Sequence, residues 1–284
     1  MKADPRFLRL PKDFWAHVRS LSQKLGYTNK VGQVKVPSLA EVLKGLEKLG
    51  LSSGHIIQSE VPTTFGKDLL AYFDYRARML NEFVLPRLMD KDRAKKEFEA
   101  LRLKLNPVRP VPMNKQKGEK RAPAYMTGIV NMIVEAGMGK CDCDFDPRRL
   151  TTITRNGMPL RTLARRVDGA FPSSVNPIVI WEIKEYYYTT TFGSRVADGV
   201  YETLLDGMEL EELSEHEKVD VKHYLFVDDV FTWWIKGKSY LCRVVDMLHM
   251  GYVDEVLFGY EVIERLPGLV SEWVAMLPNS PLQG

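Results

Sequence analysis

The sequence predicts an α/β protein: a mixed sheet flanked by helices, preceded by a mainly helical N-terminal region. Two observations lead there. Beyond residue 177, apolar runs and amphipathic stretches alternate as strand (178–183), helix (194–205), strand (223–228), helix (232–249) and strand (252–258), with a last helix at 269–276. That order implies right-handed crossovers and parallel neighbouring strands. Ahead of it, strand-like residues 150–155 and 160–171 flank Asn156-Gly157, a strong hairpin signal.

Residues 1–105 carry helical periodicity instead. Phe14, Trp15, Val18, Leu21 and Leu25 mark a first helix over 11–25, closed by Gly26. A second follows Ser38, an N-cap with Glu41 in the capping-box position, and runs through Leu39, Val42, Leu43 and Leu46 to Gly50. Lys44-Gly45-Leu46-Glu47-Lys48 marks no recognition helix, so an ordinary packing helix is the better assignment. Leu69, Leu70, Phe73, Met79, Leu80 and Phe83 give a longer helix over 65–85, interrupted by Pro86, with a charged continuation over 90–105.

Composition narrows the class. Of 284 residues, 45% are apolar and 27% charged, enough for a packed core and unlike a disordered chain. A net charge of +3 neither makes nor excludes a nucleic-acid binder. Cys141, Cys143 and Cys242 form no disulfide framework, the N-terminus has no apolar signal region, and no apolar run reaches about 18 residues. The expectation is a cytoplasmic protein with no membrane span. The histidines are scattered and no Walker loop is present, so neither an HExxH metalloprotease nor an ATP-driven motor is indicated.

Between 106 and 122 the periodicity stops. Pro107, Pro110 and Pro112 lead into a basic run holding Lys115, Lys117, Lys120 and Arg121, read as a linker that either follows a phosphate backbone or is simply solvated. Pro123 suits the first turn of a helix, apolar on most sides, whose one acid is Glu135. Cys141 to Asp146 alternates thiols and carboxylates but lacks spaced ligand pairs, so a polar turn is favoured over a metal site.

Chemistry concentrates in Arg165-Arg166-Val167-Asp168-Gly169 and Trp181-Glu182-Ile183-Lys184. In a strand, alternate side chains share a face, so Glu182 and Lys184 point the same way. If the two runs pair as a hairpin, Asp168 falls beside them. Two carboxylates and an ammonium then suit a divalent cation and a water aimed at a phosphodiester. An acid and a lysine on a solvated strand face is the bland alternative.

These residues resemble the PD-(D/E)XK nuclease superfamily, best known from type II restriction endonucleases, with Val167 where the family has proline. The resemblance covers roughly 123–260 and implies a restriction-endonuclease-like core over 123–284, after a helical region (1–105) for DNA recognition or dimerisation and the linker (106–122). It implies a Mg²⁺-dependent (or Mn²⁺-dependent) DNA endonuclease. Asp168, Glu182 and the Ile183 carbonyl would hold the metal, Lys184 would serve the attacking water, and Glu135 would be an added helical acid. Lys115, Lys117, Lys120, Arg121, Tyr188 and Arg195 are candidate DNA contacts, with Arg165 and Arg166 weaker ones. A homodimer and a cognate methyltransferase partner also follow from the resemblance. A repair or recombination nuclease, or a non-catalytic DNA-binding or complex-forming module on the same fold, are the alternatives.

Overall fold

The computed structural model describes residues 1–116, 119–189 and 193–277, without the side chains of 115–121. Helices α1 (Lys12–Leu25) and α2 (Leu39–Leu49) open the chain. Glu41 N–H donates to the Ser38 hydroxyl while Ser38 N–H donates back to the Glu41 carboxylate, the reciprocal cap that the sequence predicts. A short hairpin, β1 (Ile57–Gln58) and β2 (Val61–Pro62), leads to α3 (Thr64–Arg78), and the helical path continues as a π-helical segment, Met79–Val84, until just before Pro86. Trp15 and Leu21 of α1, Leu46 of α2 and Tyr72 and Phe73 of α3 close one apolar cluster.

Helix α4 (Lys91–Leu105) turns its apolar side elsewhere. Phe98, Leu101 and Leu105 pack into the cluster built on α5 (Tyr125–Met138), so α4 belongs with the sheet and not with the N-terminal helices. Gly128 makes that approach possible, because a Cβ there would stand 2.4 Å from the Phe98 ring. Between the two helices the expected linker contains an antiparallel hairpin, β3 (Met113–Gln116) with β4 (Glu119–Pro123). Pro123 ends β4 and does not open α5: Ala124 N–H donates to the Pro112 carbonyl at 2.8 Å, carrying the ladder past it.

The remaining strands are β5 (Asp144–Phe145), β6 (Thr152–Arg155), β7 (Met158–Thr162), β8 (Gly169–Phe171), β9 (Val179–Lys184), β10 (Lys222–Val227) and β11 (Glu255–Phe258). β6 and β7 pair across Asn156-Gly157, both at positive φ as a tight hairpin turn requires. The single long strand expected over 160–171 is therefore two pieces, hairpin arm and core strand, separated by 163–168. The main sheet has the order β11-β10-β9-β8-β5. β9, β10 and β11 are parallel, connected through α6 (Ser194–Glu217) and α7 (Lys238–Met250); β8 and β5 run antiparallel to their neighbours. α6 takes in the acidic stretch 209–217 that follows the expected helix. The helix expected over 232–249 is divided at Gly237, which follows a π-helical segment, Val230–Lys236. α8 (Glu261–Ala275) starts earlier than its apolar tail suggests and tolerates Pro267 within it.

All six residues of β9 are buried, on alternating faces. Val179, Trp181 and Ile183 face α5 and α8, whereas Ile180 packs with Leu210 and Leu213 of α6. Period-two alternation puts Glu182 and Lys184 on the α6 side. No described helix is long and apolar enough to cross a membrane.

A buried ion pair fastens the N-terminal helices to the sheet. Arg76 Nη1 lies 3.0 Å from both Asp246 oxygens, Arg76 Nη2 donates to Ser22 at 3.0 Å, and the Tyr72 hydroxyl donates to Asp246 at 2.6 Å. Removing one partner of a buried pair strands the other charge, at a cost of about 3–5 kcal/mol. Asp246→Ala is expected to lower unfolding stability by that amount and Tyr72→Phe by about 1 kcal/mol. Urea titration checks both; equal small losses would show that the pair does not hold the two parts together.

Candidate active site: an acid–base cluster at the end of the central strand

Register places the first pair. Gly169 opposes Trp181, so Asp168 lies across from Glu182. Asp168 N–H donates to the Trp181 carbonyl at 3.1 Å, and Ile183 N–H donates to Asp168 Oδ2 at 2.7 Å. Glycine is required at 169, since a Cβ would meet the Trp181 indole at 2.0 Å. Lys184 ends β9 at the carboxyl end of the parallel strands, where open α/β sheets bind ligands.

Glu182 has no exposed surface. Its Oε1 lies 2.9 Å from Arg165 Nη1, and its Oε2 accepts from Arg165 Nη2 at 3.0 Å and from Lys184 Nζ at 2.9 Å. Helix α6 brings two further acids. Asp206 Oδ2 is 2.6 Å from Arg165 Nη1, and Glu202 Oε2 is 3.4 Å from Arg165 Nη2 and 3.5 Å from Lys184 Nζ. Gly199 allows α6 this close, because a Cβ there would stand 3.2 Å from Lys184 Cδ and 2.8 Å from the Tyr186 hydroxyl.

Four carboxylates thus face two cations, and the imbalance shows in their acidities. Burial, and then the negative charge of Glu182, push Asp168 up to about 7 and Asp206 up to about 7. Burial also opposes ionisation of Glu182, but Lys184 and Arg165 outweigh it and hold that carboxyl below the usual range. Burial disfavours the Lys184 ammonium, yet Glu182 and Asp168 more than compensate and raise it. Among the described residues Asp206 Oδ1 is buried without a hydrogen-bond partner, and Glu182 Oε1 is met only by the ion-pair approach of Arg165 Nη1.

Hard, buried, partly uncompensated oxygens are the donor set a small divalent cation takes. Among the described residues, however, no three His, Cys, Asp or Glu side chains are gathered closely enough to hold an ion. Arg165 Nη1 lies between Glu182 Oε1 and Asp206 Oδ2, in the place an ion shared by those two carboxylates would take. A metal at these oxygens therefore requires Arg165 to leave.

The other expected residues lie elsewhere. Glu135 does not join the cluster: it accepts from Arg109 N–H at 3.2 Å, and α5 covers the opposite face of the sheet from Glu182. The Tyr188 hydroxyl donates to the Pro123 carbonyl at 3.1 Å, with Lys91 5.6 Å from its ring, which ties it to the start of α5. Arg195 is exposed in the first turn of α6, and Arg166 is exposed. Lys117 and Thr190, Thr191 and Phe192 lie outside the described residues; Lys115, Lys120 and Arg121 sit on β3 and β4 with their side chains outside them. Cys143 donates to the Ala170 carbonyl and Asp144 accepts from Ser174, an edge-strand arrangement where the sequence suggests a polar turn. Glu202, Asp206 and the central place of Arg165 escape the sequence reasoning. The available signal is the helical spacing of Gly199, Glu202, Thr203 and Asp206, which shares one face of α6.

The profile of a family described as Domain of unknown function (DUF7687) matches residues 89–273, and a second, described as Domain of unknown function (DUF7690), matches residues 1–83. No curated protein and no solved structure matches the chain. The whole acid–base cluster lies within the first match, and the Arg76–Asp246 pair spans the two.

The acidities have a sign. An unfolded aspartate titrates near about 3.9, whereas Asp206 titrates near 7 in the fold. The folded state then binds more protons between these values, so this contribution to stability falls as pH rises from about 4 to about 7 and is flat above. Asp206→Asn removes it, and the urea midpoint is expected to fall less steeply over that window than in the wild type. An unchanged slope would contradict the assigned acidity.

Proposed function

The chain belongs to the DUF7687 family through residues 89–273, and we propose that this region is a divalent-metal-dependent DNA endonuclease acting through Asp168, Glu182 and Lys184. One observation carries the proposal: two carboxylates from antiparallel strands and the lysine next but one meet on one face at the carboxyl end of β9. The excess of buried acid over base supports it, because a site that destabilises its own carboxylates is suited to an external cation. The order also fits: a helix (α5), antiparallel strands, the central strand, then a crossover to a parallel neighbour, as the nuclease resemblance implies.

Asp168, Glu182 and Asp206 would hold Mg²⁺ or Mn²⁺, which supplies charge neutralisation and an acidified water when bound. The chain's own groups do the rest. The Lys184 ammonium, held by Glu182, would orient the attacking water and offset charge developing on the phosphate. Arg165 carries a planar fork suited to a phosphate oxygen pair, so release from Glu182 and Asp206 would turn it toward the substrate backbone. Double-stranded DNA, cut by a homodimer of the restriction type, is the finer proposal.

A second reading has its own support. Both Glu182 oxygens are already met by Arg165 and Lys184, an arrangement that could serve a non-catalytic DNA-binding or complex-forming module without metal. Mixed-sequence plasmid and phage DNA incubated with Mg²⁺ or Mn²⁺ separates the two. The nuclease predicts fragments from the wild type, with Lys184→Ala and Asp168→Ala each slower by about a hundredfold or more. DNA binding without cleavage in either metal would support the module, and equal cutting by all three proteins would remove these residues from the chemistry.

A further inference from the structure

A second site lies where the two family regions meet, away from the acid–base cluster. Residues of α1, α6 and α7, with Tyr27 just after α1, line an open cavity of about 230 Å³ whose wall includes Arg19, Tyr201, Leu204, Arg243 and Met247. Along α6, Tyr201 and Leu204 face this cavity while Glu202 and Asp206 face Arg165 and Lys184, so the helix separates two distinct places.

Arg243 is the feature that calls for a ligand. Among the described residues no carboxylate pairs with it; its charge is met by tyrosines. Nη1 donates to the Tyr201 hydroxyl at 2.6 Å, Nε to the Tyr27 hydroxyl at 3.5 Å, and the guanidinium carbon stands 4.8 Å from the Tyr240 ring centroid. Each phenol oxygen that accepts from Arg243 keeps its own proton to donate outward. Arg19, from the N-terminal region, adds a second guanidinium to the same wall, and among the described residues its side chain makes a weak hydrogen bond to the Met250 sulfur at 3.3 Å. The single acid on the wall, Asp246, has both oxygens engaged by Arg76 and so does not cancel this positive field. Leu204 and Met247 add apolar surface to the same lining.

We propose that this cavity binds a small phosphate monoester carrying a flat ring, a nucleoside monophosphate. The phosphate meets Arg19, Arg243 and the tyrosine hydroxyls, and the base lies against Leu204 and Met247. At about 230 Å³ the cavity is smaller than the roughly 300–1,000 Å³ usual for ligand pockets, which argues against a dinucleotide cofactor and for a small ligand of the kind proposed. The proposal is independent of the nuclease reading, because none of these residues belongs to the acid–base cluster.

Isothermal titration calorimetry of the full chain with AMP and dAMP tests it, with ribose 5-phosphate and inorganic phosphate as comparators. The expected result is saturable binding of a nucleotide, weaker binding of ribose 5-phosphate, and little of phosphate. Arg19→Ala, at an exposed position, and Arg243→Lys are each expected to weaken nucleotide binding by at least about tenfold, the loss of a charge-assisted hydrogen bond. Leu204→Trp keeps both arginines but fills the cavity and should abolish binding while leaving the melting temperature near that of the wild type. Phosphate binding as well as the nucleotides would reduce the site to a simple anion contact and overturn the proposal. So would binding that survives all three substitutions, or no binding of any probe to the wild type.

Discussion

A carboxylate with no exposed surface governs this structure. Burying an ionised Glu182 is costly unless its oxygens are met by cations and hydrogen-bond donors. The fold supplies those from two directions, Lys184 from the same strand face and Arg165 from the segment that precedes β8. Other local features follow from that requirement. Gly169 lets Trp181 close over β8 so that Asp168 aligns with Glu182, and Gly199 lets α6 reach Lys184. Helix α6 then adds Glu202 and Asp206, which overfills the site with acid. The protein keeps this surplus by holding Asp168 and Asp206 near 7, the region where protons are exchanged most readily at neutral pH.

The same helix links the two halves of the molecule. One face of α6 carries acids to the cluster, and another lines a cavity that α1 and Tyr27 complete from the N-terminal region. The buried Arg76–Asp246 pair sets α3 against α7 beside that cavity. The helical N-terminal region is thus packed onto the sheet through charge as well as apolar contact, and is more than a loosely tethered appendage.

Much of this was legible in the residues, and the exceptions have physical causes. The unbroken apolar run ending in Glu182-Ile183-Lys184 marks a central strand, Asn156-Gly157 marks a tight turn, and the Ser38/Glu41 pair marks a helix start; each is a local rule with a local outcome. The parallel order of β9, β10 and β11 follows from the alternation of strand and helix. Glu135 was harder, because helical periodicity says that a residue is on a helix but not which face of the sheet that helix covers. Asp206 and Glu202 belong to no motif in the sequence, and only tertiary packing turns their face of α6 toward Arg165. Arg165 itself resembled a surface phosphate contact, since nothing nearby in sequence reveals that its partners are a buried strand glutamate and a distant helix. Pro123 met its favoured helix position one element too early, as the pairing of β4 with β3 claimed its backbone first.

On the proposed reading, protons and Arg165 stand at these carboxylates where a divalent cation would bind. Calorimetric titration of Mg²⁺ near pH 7, in two buffers of different ionisation enthalpy, tests it most directly, because metal binding to protonated ligands releases protons. The account predicts saturable binding with net proton release, both lost in Glu182→Gln and the release diminished in Asp206→Asn. Absence of Mg²⁺ and Mn²⁺ binding, or binding that Glu182→Gln leaves unchanged, would contradict it.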